Sequence, residues 1–309
     1  MTFMKPEWVY SLFMRKFVLK KFKLNHTLYG NKILETEEGG KIIKAYLAKE
    51  EPCMIGRIGT VEMWAINSAI NVEQGLFKAI PAERIQSLYN NAGFFPKEQV
   101  AVENFVSIYR DACTDLDVAA VMGGSGEDYF LHNYAPNLRQ YVTLMALEPY
   151  YSQNPWSSVL EGKRVLVVHP FSETIEAQYK KHKSLFENPQ VLPDFTLLTV
   201  KAVQTIGDNT AGFVSWFDAL QYMKDEISQR DFDIAILGCG AYAFPLASYI
   251  KRIGKKSIIM GGATQILFGI KGKRWDNHPI SSFYNDDWVR PKESERPEDA
   301  KNVENGCYW

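Results

Sequence analysis

The fold of this chain is indicated most directly by one stretch, Ile234-Ala235-Ile236-Leu237-Gly238-Cys239-Gly240-Ala241-Tyr242-Ala243. Four consecutive apolar residues predict a strand buried on both faces, and the two glycines predict a tight turn into a helix. This layout points free backbone N–H groups at a phosphate, although the glycines can also serve the turn alone. The stretch therefore predicts an α/β unit with a candidate nucleotide-binding turn at Gly238 and Gly240.

The stretch departs from the full dinucleotide-binding fingerprint. Ala243 occupies the position of the third glycine, and Lys255 and Lys256 stand where an acidic residue would bind the ribose. A nucleotide in general is therefore better supported than a nicotinamide cofactor. An NAD-type oxidoreductase is the alternative enzyme class.

The same pattern recurs along the chain. Short apolar or β-branched runs end in glycine or polar residues and are followed by helical periodicity, which is typical of βαβ units. Their continuous apolar character fits a mostly parallel sheet flanked by helices. Periodic apolar residues predict helices over Ala211–Gln229 and Ala243–Ile253. The further predicted strands are Cys53–Ile58, Val118–Met122, Arg164–Val168, Thr196–Val200 and Ser257–Met260.

The composition is that of an ordinary globular protein. The chain has 309 residues, of which 46% are hydrophobic, with 35 basic against 36 acidic side chains. A net charge of −1 gives no general attraction to nucleic acid, so we expect no nucleic-acid partner. The length allows one large domain or two small ones. We predict a single α/β catalytic domain over residues 31–309, with halves 31–158 and 159–309.

Cysteine usage and hydropathy indicate a protein of the cytoplasm. The four cysteines are scattered and form no CxxC pair, so neither a zinc site nor a disulfide framework is expected. No run approaches the roughly 20 apolar residues of a membrane-spanning helix. Basic residues between Arg15 and Lys23 interrupt what would be the apolar segment of a secretory signal.

The N-terminal segment is both basic and aromatic. Residues 1–25 contain six basic residues and one acidic residue, interleaved with bulky side chains such as Trp8 and Phe17. A helix of this composition, predicted over residues 1–30, fits peripheral anchoring on anionic lipid at the inner face of the membrane. The alternative is an amphipathic helix that packs on its own core or on a partner subunit.

Strand ends are candidate sites, because ligands of open α/β sheets bind at the carboxyl ends of strands. The first is Arg57-Ile58-Gly59-Thr60-Val61-Glu62, where the chain turns at Gly59 and places Glu62 in the first turn of a helix. A guanidinium suits a phosphate, and a carboxylate suits a divalent cation. An ion pair between Arg57 and Glu62 that only closes the turn is the alternative.

A later glycine-rich loop carries three cations. It runs from Gly261-Gly262-Ala263-Thr264-Gln265 to Lys271-Gly272-Lys273-Arg274-Trp275-Asp276. Cations separated by glycine can wrap a diphosphate, and Trp275 can stack on a base or sugar. A solvated basic loop is the alternative.

A histidine and a carboxylate follow another predicted strand. His169 and Glu173 come just after Val168, and either side chain can act as a general base or a metal ligand. A hydrogen-bonded structural histidine is the alternative at a strand end. No HExxH, GxSxG or Walker A sequence is present.

Taken together, these residues resemble a bacterial GT-D-type glycosyltransferase over roughly residues 50–309. The resemblance lies in Arg57-x-Gly59-x-x-Glu62 and the block from Asp231 to Asp276, with support from residues 164–173 and 216–226. It implies a Rossmann-like sheet, a UDP-sugar donor, a divalent metal such as manganese, and a role in surface polysaccharide or glycoprotein glycan assembly.

The Asp-x-Glu element of that family is incomplete in this chain. Glu62 matches the glutamate, but Thr60 stands at the aspartate position. The resemblance implies that Glu62 binds the metal or the diphosphate, and Asp276 or Glu173 would have to complete the shell of a manganese ion. The missing aspartate also leaves a non-catalytic, membrane-peripheral scaffold as an alternative.

The predicted function is transfer of a sugar from a UDP-sugar to a glycan or lipid-linked acceptor. The departing nucleoside diphosphate gains negative charge, so cations and N–H groups aimed at it favour the transfer. The donor sugar, the stereochemical outcome and homo-oligomer formation stay open. The predicted donor-binding residues are Arg57, Gly59, Gly238, Gly240, Lys271, Lys273, Arg274 and Trp275. The predicted catalytic residues are Glu62, Glu173 and His169, and the predicted metal ligands are Glu62 and Asp276.

Overall fold

The computed structural model describes residues 6–14, 25–205, 209–297 and 306–309. Within these ranges it contains one sheet of eight parallel strands. The strands are β1 (Ile33–Leu34), β2 (Met54–Gly56), β3 (Val118–Val121), β4 (Gln140–Thr143), β5 (Arg164–His169), β6 (Thr196–Lys201), β7 (Ile234–Leu237) and β8 (Lys256–Ile259). Their order across the sheet is β1-β4-β3-β2-β8-β7-β5-β6. The predicted α/β class with a parallel sheet is confirmed, and it is consistent with a Rossmann-like fold.

The predicted strands occur, and the two strands not predicted lie together at one edge. β7 has its predicted bounds, and the other predicted strands differ by one or two residues at one end or at both ends. β1 spans only two residues, and β4 begins and ends with polar side chains. Neither therefore produces the continuous apolar run from which the other strands were predicted.

Helices cover both faces of the sheet. Successive strand residues point to opposite faces, so Leu166 and Val168 of β5 lie in one core cluster, and Val165 and Val167 lie in the other. The continuous apolar runs are explained by this burial on both sides. The helices are α1 (Pro6–Met14), α2 (Thr36–Ala48), α3 (Thr60–Glu73), α4 (Ala82–Ala92), α5 (Gln99–Cys113), α6 (Glu127–Tyr134), α7 (Ser172–Tyr179), α8 (Trp216–Ser228), α9 (Ala243–Arg252) and α10 (Ala263–Leu267).

Helix α8 begins later than predicted. The backbone at Ala211 and Gly212 has positive φ angles of 52° and 82°, which a right-handed helix does not contain. Ser215 then caps the helix, because its side chain accepts a hydrogen bond from the backbone N–H of Asp218. The apolar periodicity of this segment predicted the buried face correctly and its start too early.

The described part of the N-terminal segment packs on the domain. Trp8 of α1 is fully buried, donates a 2.8 Å hydrogen bond from Nε1 to Oδ1 of Asn71, and packs edge-to-face on Tyr129. The six basic residues counted above lie outside the described residues, as do all of residues 15–24. The helix predicted over residues 1–30 does not reach its predicted end, because residues 25–30 form a turn next to the bridge between His26 and Lys32. Among the helices of the described ranges, none is long and apolar enough to cross a membrane.

The topology leaves a crevice at the carboxyl edge of the sheet. The chain leaves β2 toward β3 on one side and leaves β5 toward β6 on the other, with β8 and β7 between them. Loops that diverge in this way open the space in which ligands of doubly wound sheets bind. The pairing of β2 with β8 joins strands from residues 31–158 and 159–309 in the same sheet.

Candidate functional site

A pocket of about 300 Å³ lies in this crevice. The loops that follow β2, β3, β5, β6, β7 and β8 line it, so strand ends that are far apart in sequence meet there. Residues from all four loops singled out in the sequence contribute to its wall. These residues are Arg57, Gly59 and Glu62, then Gly238 and Gly240, then Gly261, Gly262, Gln265 and Arg274, and finally His169.

Arg57 brings a positive charge to the pocket. It directly follows β2, and its Nη1 donates to Sδ of Met122 at 2.9 Å. The guanidinium also lies against the backbone of Gly261, where a β-carbon would overlap Nη2. Arg57 forms no salt bridge with a carboxylate of the described residues. Its charge is therefore available to an anionic ligand.

Glu62 is a buried carboxyl group in the pocket wall. It lies in the first turn of α3 and is 7% exposed. Burial raises the pKa of this carboxyl group above its ordinary value, and Arg57 acts in the opposite direction. The carboxyl group lies so close to Gly59 that a β-carbon there would overlap it. Gly59, predicted to bind the donor, therefore makes room for Glu62.

The glycine turn after β7 is shaped by close packing. A β-carbon at Gly238 would lie 2.6 Å from both Cδ2 of His169 and Oγ1 of Thr264, so only glycine fits there. Gly240 has a positive φ of 57°, which glycine adopts without strain. The turn leads into α9, so the N-terminal end of that helix faces the crevice, as the sequence predicted.

His169 is the last residue of β5, and its ring is held neutral. The side chain is 3% exposed, and its Nδ1 accepts a 3.0 Å hydrogen bond from the backbone N–H of Phe171. Burial lowers the pKa of His169 from 6.5 to about 3. With Nδ1 occupied as an acceptor, the proton of the neutral ring is on Nε2. At neutral pH this histidine is a hydrogen-bond donor rather than the general base predicted from sequence.

Arg274 brings a second positive charge to the pocket, and residues 306–309 hold it there. Its backbone N–H donates to the carbonyl of Cys307 at 2.9 Å, and its Nη1 donates to the hydroxyl of Tyr308 at 2.8 Å. Nε2 of Gln265 donates to the carbonyl of Tyr308 at 3.3 Å. Tyr308 and Trp309 also line the pocket, and their role was not predicted from sequence.

The other predicted donor-binding residues of that loop do not line the pocket. Nζ of Lys271 lies 5.4 Å from the ring of Tyr284, because its backbone pairs with Val289 away from the crevice. Lys273 and Trp275 occupy a short 3₁₀ segment, and the ring of Trp275 packs against Gly272. Of the four predicted donor-binding residues in this loop, only Arg274 therefore lines the pocket.

Glu173 and Asp276 are also outside the pocket, and both carboxylates form ion pairs there. Glu173 lies 3.4 Å from Nζ of Lys201 and 3.5 Å from Nζ of Lys292. Asp276 accepts two 2.7 Å hydrogen bonds from Nη2 of Arg290. Neither carboxylate lines the pocket together with Glu62, as the predicted metal site would require.

The described residues do not fit a manganese ion. Glu62 has the only carboxylate side chain among the described residues that line the pocket. No group of three or more His, Cys, Asp or Glu side chains able to hold a metal ion occurs in the described ranges. Hard divalent cations require several oxygen ligands, and the pocket does not supply a carboxylate set of that kind.

One wall of the pocket was not predicted from sequence at all. Thr205 follows β6, and its Oγ1 donates to the carbonyl of Gly93 at 2.5 Å and lies 2.9 Å from the hydroxyl of Tyr242. Gly93 ends α4 with a positive φ of 68°. Nothing local in the sequence links these residues, because the contacts join distant parts of the chain.

The residues at the end of β8 argue against the alternative of an NAD-type oxidoreductase. The strand after a dinucleotide-binding helix ends in an acidic residue that binds the ribose. β8 ends at Ile259 and is followed by Met260 and Gly261.

Comparison of the chain with protein-family models, with curated proteins and with solved structures found no match. What the pocket can bind therefore has to be inferred from its own side chains.

Proposed function

We propose that this protein is a glycosyltransferase that binds the diphosphate of a nucleotide-sugar donor, such as a UDP-sugar, in the pocket at the carboxyl edge of the sheet. One observation carries the proposal. Arg57 and Arg274, from opposite ends of the domain sequence, line the same pocket as the Gly238–Gly240 turn. Guanidinium groups and the N-terminal end of a helix are the groups that bind phosphate oxygens in proteins.

The arrangement suits a reaction in which a diphosphate departs. As the bond between the sugar and the phosphate breaks, its electron pair passes to the diphosphate oxygen, and negative charge develops there. Two fixed guanidinium groups in a partly enclosed pocket stabilise that charge more strongly than water does. The rings of Tyr308 and Trp309 at the same wall offer apolar surface against which a base can stack.

Glu62 is the best-placed group to accept a proton from the acceptor. The acceptor hydroxyl forms the new bond to the sugar, and its proton passes to the Glu62 carboxylate. A carboxyl group whose pKa is raised by burial is a better base near neutral pH than an exposed one. Glu173 is held by two lysines outside the pocket, and the free nitrogen of His169 carries a proton.

The acceptor is proposed to be a glycan, free or lipid-linked, at the membrane surface. The basic residues Arg15, Lys16, Lys20, Lys21 and Lys23 would bring the enzyme to anionic lipid there. Their replacement by glutamine in the full chain should reduce co-sedimentation with anionic vesicles and leave binding to neutral vesicles unchanged. Equal sedimentation of the two proteins with anionic vesicles would contradict this placement.

The proposal is tested by ligand binding. Saturation-transfer NMR and calorimetry with UDP, UDP-sugars, uridine and NAD compare the wild type with Arg57→Ala, Arg274→Ala and Lys273→Ala. Loss of either pocket arginine should weaken UDP binding by about tenfold or more and uridine binding little, because a charge-assisted hydrogen bond contributes about 1.5–3 kcal/mol. Lys273→Ala, which removes a neighbouring cation outside the pocket, should bind UDP like the wild type.

Two results would overturn the proposal. One is binding of NAD without binding of UDP, and the other is an equal loss of UDP and uridine affinity in both arginine variants. Titrations with EDTA and with Mn²⁺ measure separately whether the metal implied by the resemblance contributes. Hydrolysis of a UDP-sugar that is lost in Glu62→Gln, with UDP binding retained, then tests the catalytic part of the proposal.

A further inference from the structure

The ring of His169 is fixed on three sides. Its Nδ1 faces the backbone N–H of Phe171, and the ring of Phe171 packs edge-to-face on it at 5.0 Å between centroids. Its Cδ2 faces Gly238, where no β-carbon could be accommodated. The only other polar atom of the ring is Nε2, and no described residue accepts a hydrogen bond from it. His169 lines the pocket.

This geometry selects one tautomer. A backbone N–H can only donate, so Nδ1 must be unprotonated to accept from Phe171, and the single proton of the neutral ring is then on Nε2. Protonation of Nδ1 would place two N–H groups against each other in addition to burying a positive charge. Both effects disfavour the imidazolium form, so Nε2–H is a donor across the physiological pH range.

Two arginines line the pocket around this donor. They are Arg57 and Arg274, and the only carboxylate side chain among the described residues of the wall is that of Glu62. A neutral N–H donor on a histidine that is only 3% exposed, in a pocket that two arginines also line, matches an anionic oxygen. It does not match a hydroxyl group that has to lose a proton, because the ring has no free acceptor nitrogen.

We propose that His169 binds the ligand by donating Nε2–H to a phosphate oxygen, and that it exchanges no proton during the reaction. The inference rests on the proposed function for the identity of the ligand, and it reverses the role of general base predicted for this residue from sequence. Its contribution to diphosphate binding should be independent of pH over the range in which free histidine titrates.

The tautomer is tested first, on the ligand-free protein. Long-range ¹H–¹⁵N NMR of the full chain, with the His169 signals assigned by their loss in His169→Gln, should show a protonated Nε2 and an unprotonated Nδ1. Neither shift should change between about pH 5.5 and pH 8.5, since the free side chain titrates near 6.5. Protonation of Nδ1, or titration within this range, would overturn the inference whether or not the protein is a glycosyltransferase.

The second test measures donation to phosphate. UDP and inorganic pyrophosphate are titrated into wild type, His169→Gln and His169→Leu, and circular dichroism checks the fold of each variant. Glutamine retains an N–H donor and should bind both probes within a few-fold of wild type. Leucine should bind both about tenfold or more weakly, because it leaves the charged oxygen without its partner. Uridine should bind to all three proteins alike.

The outcomes separate the two proposals. Pyrophosphate binding that depends on the His169 donor, without UDP binding, would contradict the proposed function and support the role of His169. Equal binding of UDP and pyrophosphate by wild type and the leucine variant would overturn the role of His169 and leave the proposed function in place. Failure of wild type to bind either probe would overturn both.

Discussion

The guanidinium of Arg57 lies directly on the backbone of Gly261, with no room for a β-carbon between them. The two residues follow the adjacent strands β2 and β8, so the pairing of those strands sets their distance. Gly261 has a positive φ of 62°. The position of this cation in the pocket therefore depends on a glycine that is more than two hundred residues away in sequence.

Replacing this glycine should displace the cation. In Gly261→Ala the new methyl group overlaps the guanidinium, which has to move, and the positive φ strains alanine by about 1–2 kcal/mol. UDP affinity should fall by about tenfold. The free energy of unfolding should fall by the strain of the alanine, about 1–2 kcal/mol. Calorimetry and urea unfolding measure the two quantities.

Gly254→Ala is the matched control for that substitution. Gly254 also has a positive φ, of 80°, but a β-carbon there meets nothing within 4 Å. The control should lose a similar free energy of unfolding and keep the UDP affinity of wild type. If both variants lose affinity equally, the effect comes from destabilisation and not from Arg57.

The hydroxyl of Tyr308 should contribute to anion binding through Arg274. Tyr308→Phe removes the hydrogen bond that orients the Arg274 guanidinium and keeps the aromatic ring. UDP affinity should fall by about threefold to tenfold, as expected for one hydrogen bond to a charged group at a partly exposed site. Tyr222→Phe, a substitution at an exposed tyrosine of α8 outside the pocket, should leave affinity unchanged. A loss in the control, or none in Tyr308→Phe, would contradict this role.

His169 should make the stability of the protein depend on pH. Its pKa is about 3 in the folded protein against 6.5 for the free side chain, so between these values the unfolded chain binds a proton that the folded chain does not. The free energy of unfolding therefore rises with pH through this window and levels off above about 6.5. The slope from this group approaches about 1.4 kcal/mol per pH unit well below 6.5.

Urea unfolding of His169→Gln between about pH 4.5 and pH 7.5 checks this slope. The variant should lose stability less steeply than wild type as the pH falls, whatever its stability at pH 7.5. Parallel curves for wild type and His169→Gln would refute the assignment.

Trp8 should stabilise the domain although it lies near the N-terminal end of the chain. Trp8→Ala removes a fully buried ring and the hydrogen bond to Asn71, and should cost about 3–5 kcal/mol of unfolding free energy. Trp64→Ala is the control, since that ring is 42% exposed and contacts Arg84 at the surface. Equal losses in the two variants would show that α1 does not pack on the domain in solution.

Much of the fold could be predicted because its signals are local. The run from Ile234 to Leu237 and the turn at Gly238 specify a strand and its exit within a few residues. Strand ends of a parallel sheet share one edge, so Arg57, His169 and Gly238 could be expected at one site without any knowledge of the packing. β1 and β4 were missed because β1 spans only two residues and β4 begins and ends with polar side chains, so neither contains a continuous apolar run.

The direction of loop side chains could not be predicted in the same way. Lys271, Lys273 and Arg274 look equivalent in sequence, yet only Arg274 lines the pocket. The difference arises from contacts with remote segments, because the backbone of Lys271 pairs with Val289 and that of Arg274 with Cys307. Asp276 was predicted to be a metal ligand, but its carboxylate pairs with Arg290, which is fourteen residues away in sequence.

The amino-acid sequence by itself determined the α/β class, most of the strands and the sheet edge at which the pocket lies, because burial pattern and turn chemistry act over a few residues. The tertiary structure alone decided which charges face the pocket, which carboxylates are neutralised and which nitrogen of His169 carries the proton. These properties depend on distances of a few ångströms between residues remote in sequence, and electrostatic and hydrogen-bond energies change steeply over such distances.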